Sequence, residues 1–194
     1  MSGQMKSARS IARHRSDGMS VRYRWLATAV CLNVSRNATP RLAHSPRKLN
    51  MAEADNKILV RRYIEEVINS GNVSIVDQFV SSDYTEIFDG KRYPVGIEGA
   101  KEHILGVRKT YPDLMLTIDH QIAEGEYVAT SITARGTHQG EWLGIKPTGK
   151  VVVYTGVNVD RVVNGKIVEH GGAANMLGPL LEIGAVRIVK QDEV

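Results

Sequence analysis

The stretch THQGEWLGIKPTGK, residues 137–150, lies between two long segments of alternating apolar and polar residues, and it decides how the second half of the chain is interpreted. It carries a histidine, a tryptophan, a proline and three glycines, which is an unusual composition for a plain connection. Because a period of two is typical of half-buried strands, residues 127–138 and 150–163 are predicted to be strands joined by this loop. The loop is a catalytic loop, a cover over a binding site, or a long connection with favourable turn residues.

The alternation continues on both sides of the loop. Residues 114–122 are predicted to be one more strand, and residues 166–174 another. The dipeptide Asn164-Gly165 tolerates positive φ at both turn positions and predicts a tight hairpin before the last strand. A short helix over residues 176–183 is expected to follow it.

Upstream of residue 114 the apolar residues follow a helical period instead. Val60, Ile64 and Val67 share one stripe of a helix that begins near residue 54. Asn72 is predicted to cap a short second helix, and a third helix over residues 97–110 is expected to end before the next proline.

Segregated helices and strands indicate an α+β fold, with a curved antiparallel sheet wrapped by three N-terminal helices and closed by the short C-terminal one. Glycines within the long strands favour strong bending. The predicted architecture is a cone-shaped α+β barrel with an internal cavity, which is a natural small-molecule site.

Charge divides the chain at about residue 50. Residues 1–50 hold ten Lys/Arg and one acid, whereas residues 51–194 hold fifteen Lys/Arg and twenty acids. The domain of residues 51–194 is therefore acidic, which argues against a nucleic-acid partner. Since no apolar run is long enough to cross a bilayer, no membrane partner is expected either.

The location of the protein is predicted from the cysteine content and the basic segment. The single cysteine, Cys31, allows no intramolecular disulfide, so a reducing, cytoplasmic location is expected. The Arg- and Ser-rich residues 1–50 suggest a mitochondrial transit peptide as the alternative. That segment also contains a weak signal-peptide core, and its plainest interpretation is a disordered extension or a start codon placed too early.

Four segments at characteristic spacing carry a family resemblance over about residues 54–186. They are NKILVRRYIEEVINSGNVSIVDQFVSSDY, GIEGAKEHILGVRKTYPDL, RGTHQGEWLGIKPTGKVV and NGKIVEHGGAANMLGPLLEIG. With them the chain resembles the SnoaL-like polyketide cyclases, also called predicted ester cyclases, of the nuclear-transport-factor-2-like superfold.

The resemblance implies a function as well as a fold. It implies cofactor-independent acid/base chemistry, an aldol-type cyclisation or related isomerisation, on a small, hydrophobic, polyketide-like carbonyl substrate. It implies no metal and no cofactor, and a homodimer formed through the open face of the sheet. The alternative is a non-catalytic protein of the same fold that binds a ligand or dimerises.

Two positions depart from the family pattern. Asn175 stands where relatives have a catalytic aspartate, and Ile87 stands where they tend to have a histidine. Asparagine does not transfer protons, so Asn175 either orients a substrate or oxyanion, or caps the last helix.

The candidate catalytic residues are His138, His170 and Asn175. His138 is either an acid, base or substrate partner, or a strand-end residue that orders the loop. His170 is either a donor to the cavity or a core histidine bonded across the sheet.

Four residues are assigned to substrate binding, namely Tyr84, Trp142, Leu143 and Tyr154. For Trp142 and Leu143 the alternative is packing beneath the loop. Glu86 or Asp89, near a predicted first strand, is a candidate replacement base; the alternative is a solvated acid.

Overall fold

The computed structural model describes residues 51–142 and 144–189. The basic segment of residues 1–50, with its predicted targeting signals, lies outside this part of the chain. The first helix, α1, spans Met51–Tyr63 and continues as a π-helical segment, Ile64–Asn69. The predicted apolar stripe is confirmed, because its valines and isoleucine are buried.

A 3₁₀ helix, Val73–Gln78, follows, and the Asn72 side chain caps it by accepting a hydrogen bond from the Ser74 N–H. The chain then enters strand β1, Val80–Phe88. Val80 is the buried first residue of this strand.

The remaining elements follow the predicted order, with the addition of β2, which was not predicted from the sequence. They are β2 (Lys91–Pro94), α2 (Gly96–Thr110), β3 (Met115–Glu124), β4 (Tyr127–Thr137), β5 (Val151–Val163), β6 (Lys166–Ala174) and α3 (Leu177–Ile183). The hairpin between β5 and β6 has positive φ at both turn residues, 50° at Asn164 and 71° at Gly165, as predicted.

The strands form a six-stranded sheet in the order β2-β1-β6-β5-β4-β3. Every pair is antiparallel except β1 with β6, which is parallel. The expected sheet was antiparallel throughout. A parallel pair needs a long crossover, and α2 together with the β3–β5 meander supplies it. The curved sheet is open, with β2 and β3 at its edges.

The core lies between the helices and one face of the sheet. Along β4 the inward side chains Val128, Thr130, Ile132 and Ala134 are buried in strict alternation. Burial of each large apolar side chain contributes about 1.5–3 kcal/mol to folding. None of the helices within the described ranges has both the length and the apolar character that a membrane span requires.

Candidate functional site

A cavity of about 510 Å³ opens between α2 and the strands β1, β6 and β5. This volume falls in the range of small-molecule sites in proteins. Most of its lining is apolar or aromatic and comes from Tyr63, Ile68, Tyr84, Phe88, Ile104, Val107, Leu114, Leu116, Ile132, Tyr154 and Met176. The titratable side chains that line it are few, and they include Glu86, His103 and His170.

His170 on β6 is paired with Asp160 on β5. The two residues are directly opposite in the ladder, and Nδ1 of His170 lies 2.8 Å from Oδ1 of Asp160. Asp160 is almost completely buried and does not line the cavity, whereas His170 does. With Nδ1 engaged by the carboxylate, Nε2 is the ring nitrogen available to a bound molecule.

The charge state of His170 follows from its surroundings. Burial lowers the pKa of the imidazole, but the charge and hydrogen bond of Asp160, with the charge of Glu86, outweigh burial and raise it. A raised pKa favours the imidazolium form near neutral pH, in which Nε2 is a charged hydrogen-bond donor.

A second carboxylate–imidazole pair joins β1 to α2. Nδ1 of His103 lies 2.6 Å from Oε1 of Glu86, and Glu86 is the ladder partner of His170. Burial raises the pKa of the Glu86 carboxyl, but the hydrogen bond and charge of His103, followed by the charge of His170, lower it below its ordinary value. Glu86 is therefore a carboxylate near neutral pH.

The predicted substrate-binding tyrosines, Tyr84 and Tyr154, both line the cavity. Desolvation raises the pKa of the Tyr154 phenol. Desolvation raises that of Tyr84 as well, with contributions from Tyr63, Glu86 and Asp160. Both phenols therefore stay protonated and offer O–H groups in an apolar wall.

His138 lies elsewhere, outside the lining of this cavity. It is fully buried after β4, its Nδ1 is 3.0 Å from Oγ1 of Thr148, and its ring lies 5.9 Å from that of Tyr111. The backbone of residues 139 and 140 bonds to the carbonyl of Thr110, which draws the loop onto the end of α2. These contacts are those of a residue that orders the loop.

Trp142 packs in the same cluster, with its ring 6.3 Å from that of Tyr111. It is partly buried beneath the loop and does not line the cavity. Leu143 lies outside the described residues.

Asn175 is exposed and is also absent from the cavity lining. Its backbone N–H bonds to the carbonyl of Thr155, and α3 begins beyond it with Met176 at the cap position. Ala174 and Met176, on either side of Asn175, line the cavity, but the side chains of His138 and Asn175 do not. Of the three candidate catalytic residues, only His170 faces the cavity.

Asp160 and His103 were missed by sequence reasoning. Asp160 occupies an inward position in the alternation of β5, and that position was its only signal in the sequence. His103 lies on α2 and reaches Glu86 only through the packing of that helix on β1. Within residues 51–142 and 144–189, no group of three or more His, Cys, Asp or Glu side chains is arranged to hold a metal ion.

Comparison with known proteins agrees with this architecture. The family model described as SnoaL-like polyketide cyclase matches residues 58–183. AclR, a putative hydroxylase from Streptomyces galilaeus, is 31% identical, with a TM-score of 0.63 over 72% of this chain and 87% of that one. IdmH, a putative polyketide cyclase from Streptomyces antibioticus, is 27% identical, with a TM-score of 0.57 over 66% and 98%.

A putative SnoaL-like polyketide cyclase from Jannaschia is 20% identical, with a TM-score of 0.64 over 79% of this chain and all of that one, and supports the fold. No curated protein matches the chain at a significant level. Because the family model covers well over half of the sequence, this chain belongs to the SnoaL-like polyketide cyclase family.

Proposed function

We propose that this protein catalyses acid/base chemistry, without a cofactor, on a hydrophobic polyketide-like carbonyl compound bound in the cavity. The reaction class is an aldol-type cyclisation or a related isomerisation. The observation that carries the proposal is the Asp160–His170 pair, which presents an imidazole at the apolar cavity of about 510 Å³.

In this proposal His170 acts on the carbonyl oxygen of the substrate. Its imidazolium donates a hydrogen bond from Nε2 to that oxygen and stabilises the negative charge that develops when the neighbouring carbon loses a proton. The apolar walls lower the local dielectric constant, which strengthens this interaction. Tyr84 and Tyr154 bind the substrate through their rings and hydroxyl groups.

The role is assigned to His170 and not to Asn175 because of position. Asn175 is exposed outside the cavity lining, and an amide does not transfer protons. His170 combines a titrating group, a buried partner and access to the cavity.

The proposal is tested by proton exchange, which needs no knowledge of the natural substrate. Hydrophobic aryl ketones are incubated with the protein in D₂O, and loss of the NMR signal of the hydrogens next to the carbonyl is compared with the background rate. We expect catalysed exchange that falls by about 10²–10⁴-fold in His170→Gln.

Two controls accompany this experiment. His120→Gln changes an exposed histidine on β3, and His138→Ala changes a histidine outside the cavity lining. Per folded molecule, both variants should catalyse exchange of the ketone hydrogens at the wild-type rate. Ketone binding without catalysed exchange would instead identify a non-catalytic ligand-binding protein.

We also propose that the protein is a homodimer formed through the outer face of the sheet. Large apolar side chains are exposed along one face of β5, where Val151, Val153, Val157 and Val159 alternate with inward residues. An exposed row of apolar side chains is typical of a protein–protein contact, and a second copy of the chain supplies a matching row.

A further inference from the structure

Two carboxylate–imidazole pairs lie side by side at the wall of the cavity, and three of their four side chains line it. Asp160 with His170 and Glu86 with His103 are joined because Glu86 and His170 are ladder partners on β1 and β6. The exposed fraction of the side chain is 4% at Asp160, similar at His170 (25%) and Glu86 (23%), and 50% at His103. The four groups thus lead from the interior to the solvent.

The two central groups carry opposite charges and opposite hydrogen-bonding capacity. The lowered pKa of Glu86 favours the carboxylate, which accepts protons, and the raised pKa of His170 favours the imidazolium, which donates them. When the environments of two neighbouring titratable groups shift their pKa values in opposite directions, one group is suited to act as the acid and the other as the base. Both line the cavity, so one bound molecule can contact both.

Other charged groups near the cavity are engaged elsewhere. The Arg108 guanidinium donates to the carbonyl oxygens of Ile68, Asn69, Leu114 and Pro112, which ties α2 to its surroundings. Asp160 is buried behind His170, and Tyr63 and Tyr84 stay protonated because desolvation raises the pKa of both phenols.

We propose that Glu86 is the base that removes the proton from the carbon next to the substrate carbonyl, and that His103 passes this proton to solvent. The inference rests on the proposed function and assigns the partner that His170 needs. His103 is a positioning and relay residue, because it contacts Glu86 and is half exposed at the cavity wall.

The step balances in protons and electrons. The C–H electron pair becomes the C=C bond of an enol while the proton moves to the Glu86 carboxylate. The carbonyl π pair moves to oxygen, which takes the Nε2 proton of His170. The enzyme therefore holds Glu86 protonated and His170 neutral. Loss of a proton through His103 and uptake of one by His170 restore the starting state.

The exchange assay in D₂O tests this assignment with Glu86→Gln, which is close in size but not basic. We expect catalysed exchange to fall at least about 100-fold, with ketone binding retained. Glu102→Gln, on the exposed side of α2, is the matched control and should exchange like the wild type. Circular dichroism verifies that each variant is folded.

Glu86→Asp keeps the carboxylate but withdraws it by one methylene group. We expect a rate between those of the wild type and Glu86→Gln, and this variant tests the proposal even if Glu86→Gln does not fold. His103→Gln should move the acid limb of the pH–rate profile to higher pH, since His103 lowers the Glu86 pKa. Added imidazole should restore part of its exchange rate, which a purely structural role for His103 would not produce.

The outcomes separate the two proposals. If His170→Gln abolishes exchange while Glu86→Gln stays within about threefold of the wild type, Glu86 is not the base and the proposed function stands. An unchanged pH profile in His103→Gln, without rescue by imidazole, overturns the relay. Absence of catalysed exchange by the wild-type protein on every ketone overturns the proposed function together with this inference.

Discussion

Asp160 sets both the orientation and the charge of His170. Its carboxylate holds Nδ1 at 2.8 Å and contributes the negative charge that raises the imidazole pKa against burial. In Asp160→Asn the side chain is similar in shape but neutral, so we expect the pKa of His170 to fall. NMR titration of the imidazole signals measures this change.

The matched control is Asp119→Asn on the exposed side of β3. In this control variant the pKa of His170 should be the same as in the wild type. If the His170 pKa were the same in Asp160→Asn, another group would have to maintain the charge of the imidazole.

His170 also makes the folding free energy depend on pH. Its folded pKa is raised above the unfolded value of about 6.5. The stabilising contribution is therefore fully present below that unfolded value and is lost as the pH rises through the folded pKa. Urea unfolding should show the free energy of unfolding falling across this window in the wild type, and His170→Gln should lack that component. Identical pH dependence in both proteins would contradict the assignment.

At the scale of the elements, the register of the β5–β6 hairpin brings Asp160 and His170 together. Near the turn Val162 pairs with Ile167, and continuing this register would place Asp160 opposite Glu169. A shift of one residue places it opposite His170 instead. Alternation and the Asn-Gly turn predict the hairpin but not this bulge, which is why the sequence did not reveal the pair.

The contacts of the loop of residues 137–150 explain much of its unusual composition. A Cβ atom at Gly140 would overlap the carbonyl of Lys109, so the loop approaches α2 closely only with glycine there. Gly149 has φ of 69°, and its N–H bonds to the carbonyl of His138. Spacing alone does not distinguish such packing requirements from catalytic ones.

Replacing two glycines in different elements by alanine should change the free energy of unfolding in opposite directions. A Cβ at Gly172 on β6 would lie 2.5 Å from the carbonyl oxygen of Val157, so Gly172→Ala should destabilise the fold by about 1–3 kcal/mol. Gly106 in α2 has open space around the same position, and Gly106→Ala should stabilise by about 0.5–1 kcal/mol. Thermal and urea unfolding measure both. If Gly172→Ala left the free energy of unfolding unchanged, the backbones of β5 and β6 would be able to move apart at little cost.

At the scale of the whole molecule, the exposed face of β5 predicts the oligomeric state. The double variant Val153→Lys/Val157→Lys should be a monomer where the wild type is a dimer, because association would bury two unpaired lysine charges per subunit. Analytical ultracentrifugation measures the mass. Ile58→Lys on α1, an exposed apolar residue on another element, is the control and should remain dimeric. A wild-type monomer would rule out the proposed contact.

The global architecture was largely predictable because it depends on order and periodicity. Apart from β1 and β2, helices lie before residue 111 and long alternating strands after it, and this order allows few arrangements other than helices packed on one sheet. It was less predictable which side chains of different elements contact each other. The contacts of His103 with Glu86, and of Glu86 with His170, arise between elements distant in sequence, and no local pattern encodes which of them meet.

The parallel pairing of β1 with β6 governs the order in which the protein forms. Pairing the first strand with the last one closes the longest loop in the sheet and therefore costs the most loop-closure entropy. This contact is expected to form late in folding. During synthesis β1 keeps one edge unpaired until the rest of the domain has emerged. Glu86 and His170 lie on these two strands, so the proposed acid–base pair is expected to form only when β6 docks against β1.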